Sequence, residues 1–162
     1  MEKREQILRL LERDAKMEAE QLAVMVDMKT EEVEAIIKEF ERNGTIVCRK
    51  TVIDWEKTDY EQVSALIELR VTPQMGEGFD KVAKRVMQYP EVRSTYLMSG
   101  GFDLMVIVEG MTMKEVALFV ANCLAPMDEV ISTATHFVLK KYKQEGVVFG
   151  ADHKDERRVI TL

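Results

Sequence analysis

The sequence predicts an α+β protein of two parts, in which three helices precede a four-stranded sheet that carries two helices on one side. Three observations support this prediction. Apolar residues up to Asn43 recur at three- and four-residue spacings, which is typical of helices. After Gly44 the pattern changes to the alternation of strands. From Val63 onward, strand and helix patterns follow in the order βαβ, and this order then repeats.

Three helices are predicted in close succession at the start of the chain. Their apolar stripes are Ile7, Leu10, Leu11 and Ala15 in the first, Ala19, Leu22, Ala23 and Val26 in the second, and Val33, Ile36, Ile37 and Phe40 in the third. Thr30 is expected to cap the third helix, and Gly44 to end it in the left-handed conformation. Only residues 27–29 separate the second helix from the third, so the pair is predicted to form a helix-turn-helix.

A wing is predicted next to the helix-turn-helix. Residues 46–49 and 51–53 show strand patterns, with the basic pair Arg49 and Lys50 near the tip between them. A winged helix-turn-helix is therefore expected over residues 1–57. The polar segment 54–59 is expected to link it to a second domain over residues 60–145, followed by a tail at 146–162.

The second domain is predicted to have the strand and helix order βαββαβ. Strands are expected at 63–71, 92–97, 104–108 and 130–139, and a Gly-rich turn is expected after Pro73. Each βαβ half contains one predicted helix with an apolar face. The residues of this face are Phe79, Val82, Ala83, Val86 and Met87 in the first helix, and Met113, Val116, Ala117, Val120 and Leu124 in the second. This order gives a ferredoxin-like sandwich. Apolar residues of the first strand reach both faces of the sheet, so the open face is expected to form a homodimer.

Composition limits the possible functions. The formal charge is −6, from 23 bases and 29 acids, and residues 1–57 alone carry 11 bases and 14 acids. Any contact with nucleic acid must therefore come from local patches of basic residues.

The cysteines Cys48 and Cys123 form no metal or disulfide motif, which favours a cytoplasmic protein. A charged start and the lack of a run of about 18 apolar residues predict neither a signal peptide nor a membrane span. Neither histidine lies in a catalytic or metal motif, so no enzyme and no cofactor are expected.

Three segments carry a resemblance to a known family. Residues 99–103, Ser-Gly-Gly-Phe-Asp, precede the apolar strand that begins at Leu104. Residues 130–135, Val-Ile-Ser-Thr-Ala-Thr, form a valine- and threonine-rich last strand. Residues 40–46, Phe-Glu-Arg-Asn-Gly-Thr-Ile, lead from the third helix into the wing. In this order and at these separations, they make the chain resemble the Lrp/AsnC (feast/famine) transcription regulators of bacteria and archaea.

The resemblance implies a DNA-binding regulator that responds to an amino acid or a related small metabolite. It implies an effector pocket between subunits, lined by Gly100, Gly101, Phe102, Asp103, Thr133 and Thr135. Double-stranded DNA and a homodimer, with further assembly into octamers, are the other partners that it implies. Two-fold pairing would present two winged helices to pseudo-palindromic half-sites. If the first domain binds DNA, the contacts are expected from Lys29, Thr30, Lys38, Arg42, Arg49 and Lys50.

The chemistry of the 99–103 loop leaves two roles open for Asp103. Two adjacent glycines leave backbone N–H groups accessible and permit positive φ, while a carboxylate accepts from an ammonium group. A zwitterionic amino acid needs both. The other role is structural, with Asp103 capping backbone N–H groups of a tight turn.

The third helix leaves the DNA contacts open as well. Where the family has glycine, serine and arginine, this chain has Asp27, Lys29 and Ile36. If the third helix does not contact DNA, its lysines and arginines are solvent-exposed residues that pair with neighbouring glutamates. The alternative function is a ligand-sensing oligomer whose acidic helix-turn-helix serves protein interaction. A small enzyme on the ferredoxin-like fold is a third, more distant class.

Overall fold

The computed structural model describes residues 2–73 and 78–150, and the chain divides into two compact units, Met1–Ile53 and Asp54–Leu162. The expected Gly-rich turn lies partly outside the described residues, at 74–77. No helix in the described part of the chain is long and apolar enough to cross a membrane.

The first unit is a bundle of three helices, α1 (Lys3–Arg13), α2 (Ala19–Val26) and α3 (Thr30–Arg42). Its buried core is Ile7, Leu11, Leu22, Ala23, Val26, Val33, Ile36, Ile37 and Phe40. The predicted stripes of α2 and α3 are therefore confirmed, apart from Ala19, which is only partly buried. Ala15 lies beyond the end of α1, and Thr30 is the first helical residue of α3 while Lys29 is the N-cap, so the predicted Thr30 cap is wrong.

The ends of α2 and α3 explain the sharp turn between them. Asp27 follows α2 in the left-handed region, with φ 52°, and the Met28 N–H donates to Ala23 O at 3.0 Å. This 6→1 hydrogen bond after a left-handed residue closes a helix C-terminus. Gly44, with φ 78°, takes the predicted left-handed conformation after α3.

The predicted wing strands are not formed. Residues 45–54, all of which the structure describes, contain no strand, although Arg49 and Lys50 lie where the tip was expected. The segment has no glycine or asparagine after Gly44 to make a tight hairpin turn, and an isolated two-stranded hairpin is only marginally stable. A short 3₁₀ turn, Trp55–Lys57, follows in the segment predicted as a link.

The second unit contains the predicted four-stranded antiparallel sheet. Its strands are β1 (Val63–Val71), β2 (Val92–Leu97), β3 (Leu104–Gly110) and β4 (Val130–Phe137), in the order β2-β3-β1-β4. Helix α4 spans Asp80–Val86, and α5 (Met113–Phe119) continues into a π-helical turn, Val120–Leu124. The βαββαβ fold class is thereby confirmed, with β4 ending two residues before the predicted boundary.

One face of the sheet packs under the helices. Along β1, Ala65, Ile67, Leu69 and Val71 are buried and belong to the core with Leu104, Val106 and Val108 of β3. From α4 and α5 the core receives Val82, Val86, Val116 and Phe119, whereas the predicted core residues Met87, Met113 and Ala117 are exposed. Helices of seven residues bury one narrow stripe, which leaves residues at their ends in water.

The other face of the sheet is not covered by helices and carries both apolar and charged residues. Leu66 of β1 and its partner Ile107 of β3 are half-buried there, and Tyr96 of β2 is exposed. Glu68 Oε1 lies 3.2 Å from His136 Nε2 of the edge strand β4. Apolar residues thus reach both faces as predicted, but Leu66 is the only apolar member of its face in β1.

A short hairpin follows β4 in the region predicted to be the end of the second domain and the start of the tail. Its strands are β5 (Lys143–Gln144) and β6 (Val147–Val148). Glu145 and Gly146 both have positive φ, 49° and 81°, which is the geometry of a type I′ turn. The hairpin was missed because its strands have only two residues each.

Candidate functional site

The loop that joins β2 to β3 is fastened at both ends. The Met98 N–H donates to Asp103 O at 2.8 Å, and the Asp103 N–H donates to Leu69 O at 3.0 Å. Between these anchors, the backbone N–H groups of residues 99–102 have no hydrogen-bond partner among the residues that the structure describes. Consecutive free backbone donors of this kind suit the oxygens of an anionic group.

The tip of this loop is open because of its two glycines. Neither Gly100 nor Gly101 has positive φ, so the left-handed freedom that glycine offers is not used here. A Cβ added at either position would meet no atom within 4 Å. The absence of side chains at these positions therefore leaves the backbone donors uncovered.

Asp103 holds the loop to the neighbouring strand. Its Oδ2 accepts a hydrogen bond from the Val71 N–H at 2.8 Å, at the end of β1. The carboxylate of Asp103 therefore has a structural role, because it caps the backbone N–H of Val71. A contact between the same carboxylate and an ammonium group stays a prediction.

Thr133 and Thr135 lie on the face of β4 that turns toward the helices. They pair in register with Leu69 and Ile67, which are both buried in the core. Leu69 in turn pairs with Leu104, the residue after Asp103, so Thr133 and the loop occupy the same end of the sheet. With β1 between them, they stand about 10 Å apart, two strand spacings. Thr135 lies one pleat farther along.

Most of the predicted DNA contacts lie on or next to α3. Lys29 caps the helix and Thr30 opens it, while Lys38 and Arg42 lie on its exposed surface. Arg49 and Lys50 line a groove of about 530 Å³ between α1 and residues 45–50. The first unit therefore holds all six predicted residues, without a strand at the predicted wing.

Two of these cations have glutamate partners. Lys38 Nζ lies 3.5 Å from Glu34 Oε2, one turn earlier on α3, and Arg49 Nη2 lies 3.0 Å from Glu41 Oε1. Exposed ion pairs of this kind contribute about 0–1 kcal/mol, so a phosphate group could replace either carboxylate at low cost. Arg42 and Lys50 have no ion pair within the described residues.

One ion pair joins α1 to α3 beside their shared apolar core. Arg4 Nη2 donates to Glu39 Oε1 at 2.7 Å, and its guanidinium carbon lies 4.9 Å from the centroid of the Phe40 ring. The hydrogen bond from Arg4 lowers the pKa of the Glu39 carboxyl below its ordinary value of 4.5. The charged form of Glu39 is thus the one that the folded helices prefer.

Comparison with known families identifies the second unit. A family model described as the Lrp/AsnC ligand binding domain matches residues 64–148, which is more than half of the chain. This chain belongs to the Lrp/AsnC family. The resemblance seen in the sequence is therefore confirmed, and the family consists of transcriptional regulators, which are not enzymes.

Curated relatives in this family are named as helix-turn-helix regulators. The uncharacterized HTH-type transcriptional regulator YugG of Bacillus subtilis is 43% identical over 161 residues, which cover 99% of this chain and 97% of YugG. The HTH-type transcriptional regulator FL11 of Pyrococcus furiosus is 24% identical over 138 residues, covering 85% of this chain and 88% of FL11. The similarity thus extends through the helix-turn-helix as well as the sheet domain.

Solved structures share the Lrp/AsnC architecture. The transcriptional regulator NMB0573 of Neisseria meningitidis, crystallised in complex with L-Met, has a TM-score of 0.73 at 20% identity, covering 89% of this chain and 92% of NMB0573. AsnC of Escherichia coli has a TM-score of 0.69 at 18% identity, covering 88% and 93%. At these identities the likeness shows the fold.

Two carboxylates in the Lrp/AsnC sheet domain have partners that sequence reasoning missed. Glu129, only 5% exposed, lies 2.9 Å from Arg85 of α4 and fastens this helix to the start of β4. Glu109 of β3 accepts from Arg93 at 2.6 Å and from Gln62 at 2.9 Å. The position of Glu109 directly after an apolar strand is a weak sequence signal that this acid is partly buried. No feature of the sequence around Glu129 predicts that it is buried while its neighbour Asp128 is exposed.

Proposed function

We propose that this Lrp/AsnC regulator binds double-stranded DNA through α3 and its flanking cations, and that an amino acid or a related small metabolite bound by the sheet domain changes that binding. The observation that carries the proposal is the 98–103 loop, whose fixed ends flank unpaired N–H groups at an open tip. Loops of free backbone donors bind carboxylates, and every amino acid carries one. The complex of NMB0573 with L-Met supports this class of ligand.

The proposed effector site uses the six residues that the resemblance implies. Backbone N–H groups near Gly100 and Gly101 would donate hydrogen bonds to the carboxylate of the effector, and Phe102 would pack against the effector side chain. Thr133 and Thr135 would complete the pocket from a strand of the same or a neighbouring subunit. Asp103 would position the loop and lies where it could also receive the ammonium group.

Assembly is part of the proposal. The open face of the sheet would pair with a second copy to form a homodimer, and dimers would assemble further into octamers. The half-buried Leu66 and Ile107 would lie in the centre of that face. Light scattering should give a dimer or a larger species for the wild type and a smaller species for Leu66→Glu, while Leu118→Glu on α5 serves as the control. Equal masses for all three proteins would show that this face of the sheet does not join the subunits.

We place the regulator in the cytoplasm, where both DNA and metabolites are available.

The effector site is tested by removing single N–H donors. Isothermal titration of the full chain with each common amino acid identifies the ligand. Gly101→Pro deletes the donor, whereas Gly101→Ala keeps it and adds a methyl group that meets no neighbour within 4 Å. A charge-assisted hydrogen bond contributes about 1.5–3 kcal/mol, so the proline variant should bind about 10- to 150-fold more weakly than the alanine variant. Equal affinity of both variants would reject the site, and no binding by any amino acid would reject an amino acid as the effector.

The proposed DNA binding is tested by the salt dependence of the affinity. Fluorescence anisotropy with the duplex upstream of its own gene should give affinity that falls steeply with salt. Lys38→Ala and Arg49→Ala should each reduce the slope of log Kd against log salt by about 1, whereas Lys16→Ala, between α1 and α2, should leave it unchanged. Weak binding that neither substitution alters would instead support an acidic helix-turn-helix that serves protein interaction.

A further inference from the structure

A short exposed segment after β4 is basic, although the chain as a whole is acidic. Residues 139–149, which we call the basic hairpin, contain three lysines and one glutamate, whereas the whole chain has a formal charge of −6. The lysines are Lys140, Lys141 and Lys143, with Tyr142 among them. Lysines clustered on one surface are the electrostatic footprint of nucleic-acid binding.

The basic hairpin is held in place by the sheet. The Val138 N–H donates to Ser64 O at 2.9 Å just before it, and Lys141 Nζ lies 3.9 Å from Glu109 Oε1. The Phe149 N–H donates to Tyr142 O at 3.0 Å and closes its base. With Lys141 directed to Glu109, the other two lysines form the solvent-facing part of the segment.

Lys140 and Lys143 are available for an anionic partner. Both are exposed, and neither has an ion pair within the described residues. Lys140 Nζ lies 5.1 Å from the centroid of the Tyr142 ring, which is itself 72% exposed, so the aromatic ring holds this ammonium group without neutralising it. Three residues of extended chain span at most about 11 Å, within which a duplex presents several phosphates.

We propose that the basic hairpin is a second DNA-binding surface, which contacts the phosphate backbone of double-stranded DNA. The proposal rests on the proposed DNA binding and extends it to the sheet domain. Lys140 and Lys143 supply phosphate contacts that are independent of base sequence, which compensates for an α3 whose own cations share their surface with glutamates. The partner is double-stranded DNA.

The test compares two double variants that remove the same charge. Lys140→Ala/Lys143→Ala removes the exposed cations of the basic hairpin, and Lys84→Ala/Lys114→Ala removes two exposed lysines of α4 and α5. Anisotropy with the upstream duplex and with an unrelated duplex is measured at several salt concentrations. The hairpin variant should bind both duplexes at least about fivefold more weakly than the control variant and reduce the salt slope by about 2.

Three results would overturn the proposal. Equal weakening by both double variants would mean that only net charge matters. A change in the mass of the hairpin variant, measured by light scattering, would mean that the hairpin joins copies of the chain instead. If the wild type itself shows no salt-dependent binding, the proposed DNA function fails and the second surface fails with it, whereas the first two results leave that function intact.

Discussion

The carboxylate of Asp103 accepts a hydrogen bond from the Val71 N–H at 2.8 Å, and this contact fixes the loop before β3 to the end of β1. Three hydrogen bonds of Asp103, through its N–H, its carbonyl and its side chain, hold the two ends of the loop in place. The Gly-Gly tip is therefore an open segment on a fixed base. The conformation of this loop depends on a side chain that the ligand need not touch.

Replacing Asp103 separates its structural role from a ligand contact. Asp103→Ala should lower the free energy of unfolding by about 1.5–3 kcal/mol, because a buried N–H loses a charged acceptor. Asp103→Asn keeps an acceptor oxygen and should cost less than about 1 kcal/mol. Urea denaturation gives both values. If the two variants are equally destabilised, the hydrogen bond to Val71 is not what stabilises the loop.

The same pair of variants reports on the ammonium group. If Asp103 only positions the loop, Asp103→Asn should bind the effector about as well as the wild type. A large loss of affinity in this stable variant would instead identify Asp103 as a direct ligand contact, which calorimetry would detect.

The left-handed residue after α2 should limit the stability of the first unit. Asp27→Gly should raise the melting temperature, because glycine adopts positive φ without the steric cost that a Cβ brings, and this outweighs the entropy that glycine loses; the expected gain is about 0.5 kcal/mol. Asp27→Ala should be less stable than the wild type. Asp14→Gly is the matched control, since Asp14 follows α1 with φ −142°, and should give no gain. Stabilisation by both glycines would contradict this explanation.

The ion pair of the buried Glu129 should contribute more to stability than an exposed one. Arg85→Ala leaves a 5% exposed carboxylate whose one remaining ion-pair partner among the described residues is Lys81, at 3.9 Å, and should cost about 1–3 kcal/mol. Lys38→Ala, which breaks the exposed pair with Glu34, should cost less than about 0.5 kcal/mol. Denaturant titration of both variants decides this. A cost for Arg85→Ala as small as that for Lys38→Ala would show that Glu129 is solvated.

The pair between Arg4 and Glu39 should make the first unit sensitive to acid. Because the pKa of Glu39 is lowered in the folded state, its charged form stabilises the fold above pH 4.5, and this contribution is lost as the pH falls through the lowered pKa. Glu39→Gln should therefore melt at a lower temperature than the wild type at pH 7, with the difference shrinking as the pH falls below 4.5. Glu34→Gln is the control. A difference that stays constant as the pH falls would point to packing instead of charge.

Periodicity was sufficient to predict the main elements. The α3 stripe and both ends of β1 and β2 agree with the structure because burial of an apolar face determines them, and that face is visible in the spacing of residues. The wing is different, since residues 46–53 alternate as strands do but lack a partner. Strand formation requires a second set of hydrogen-bonding groups, which a local pattern does not reveal.

The site was less accessible from the sequence than the fold. A carboxylate after Gly-Gly suits an ammonium ligand and a backbone N–H equally, and only the structure shows that Val71 lies next to Asp103. Likewise, spacing shows that Lys38 can reach Glu34, but the pairing of Arg49 with Glu41 depends on how the chain turns after Gly44. Contacts between segments that are distant in sequence are what single-sequence reasoning leaves open.

Glu109 accepts a hydrogen bond from Gln62, just before β1, and forms an ion pair with Lys141, just after β4. The chain therefore enters and leaves the four-stranded sheet at neighbouring points. A sheet whose ends meet can be circularly permuted: a short linker could join residues 62 and 141, without the hairpin that follows, and new termini could be opened at an exposed turn. Such a permutant would retain all four strands in their order, which makes the four-stranded sheet a module that could be inserted into another protein at a single surface loop.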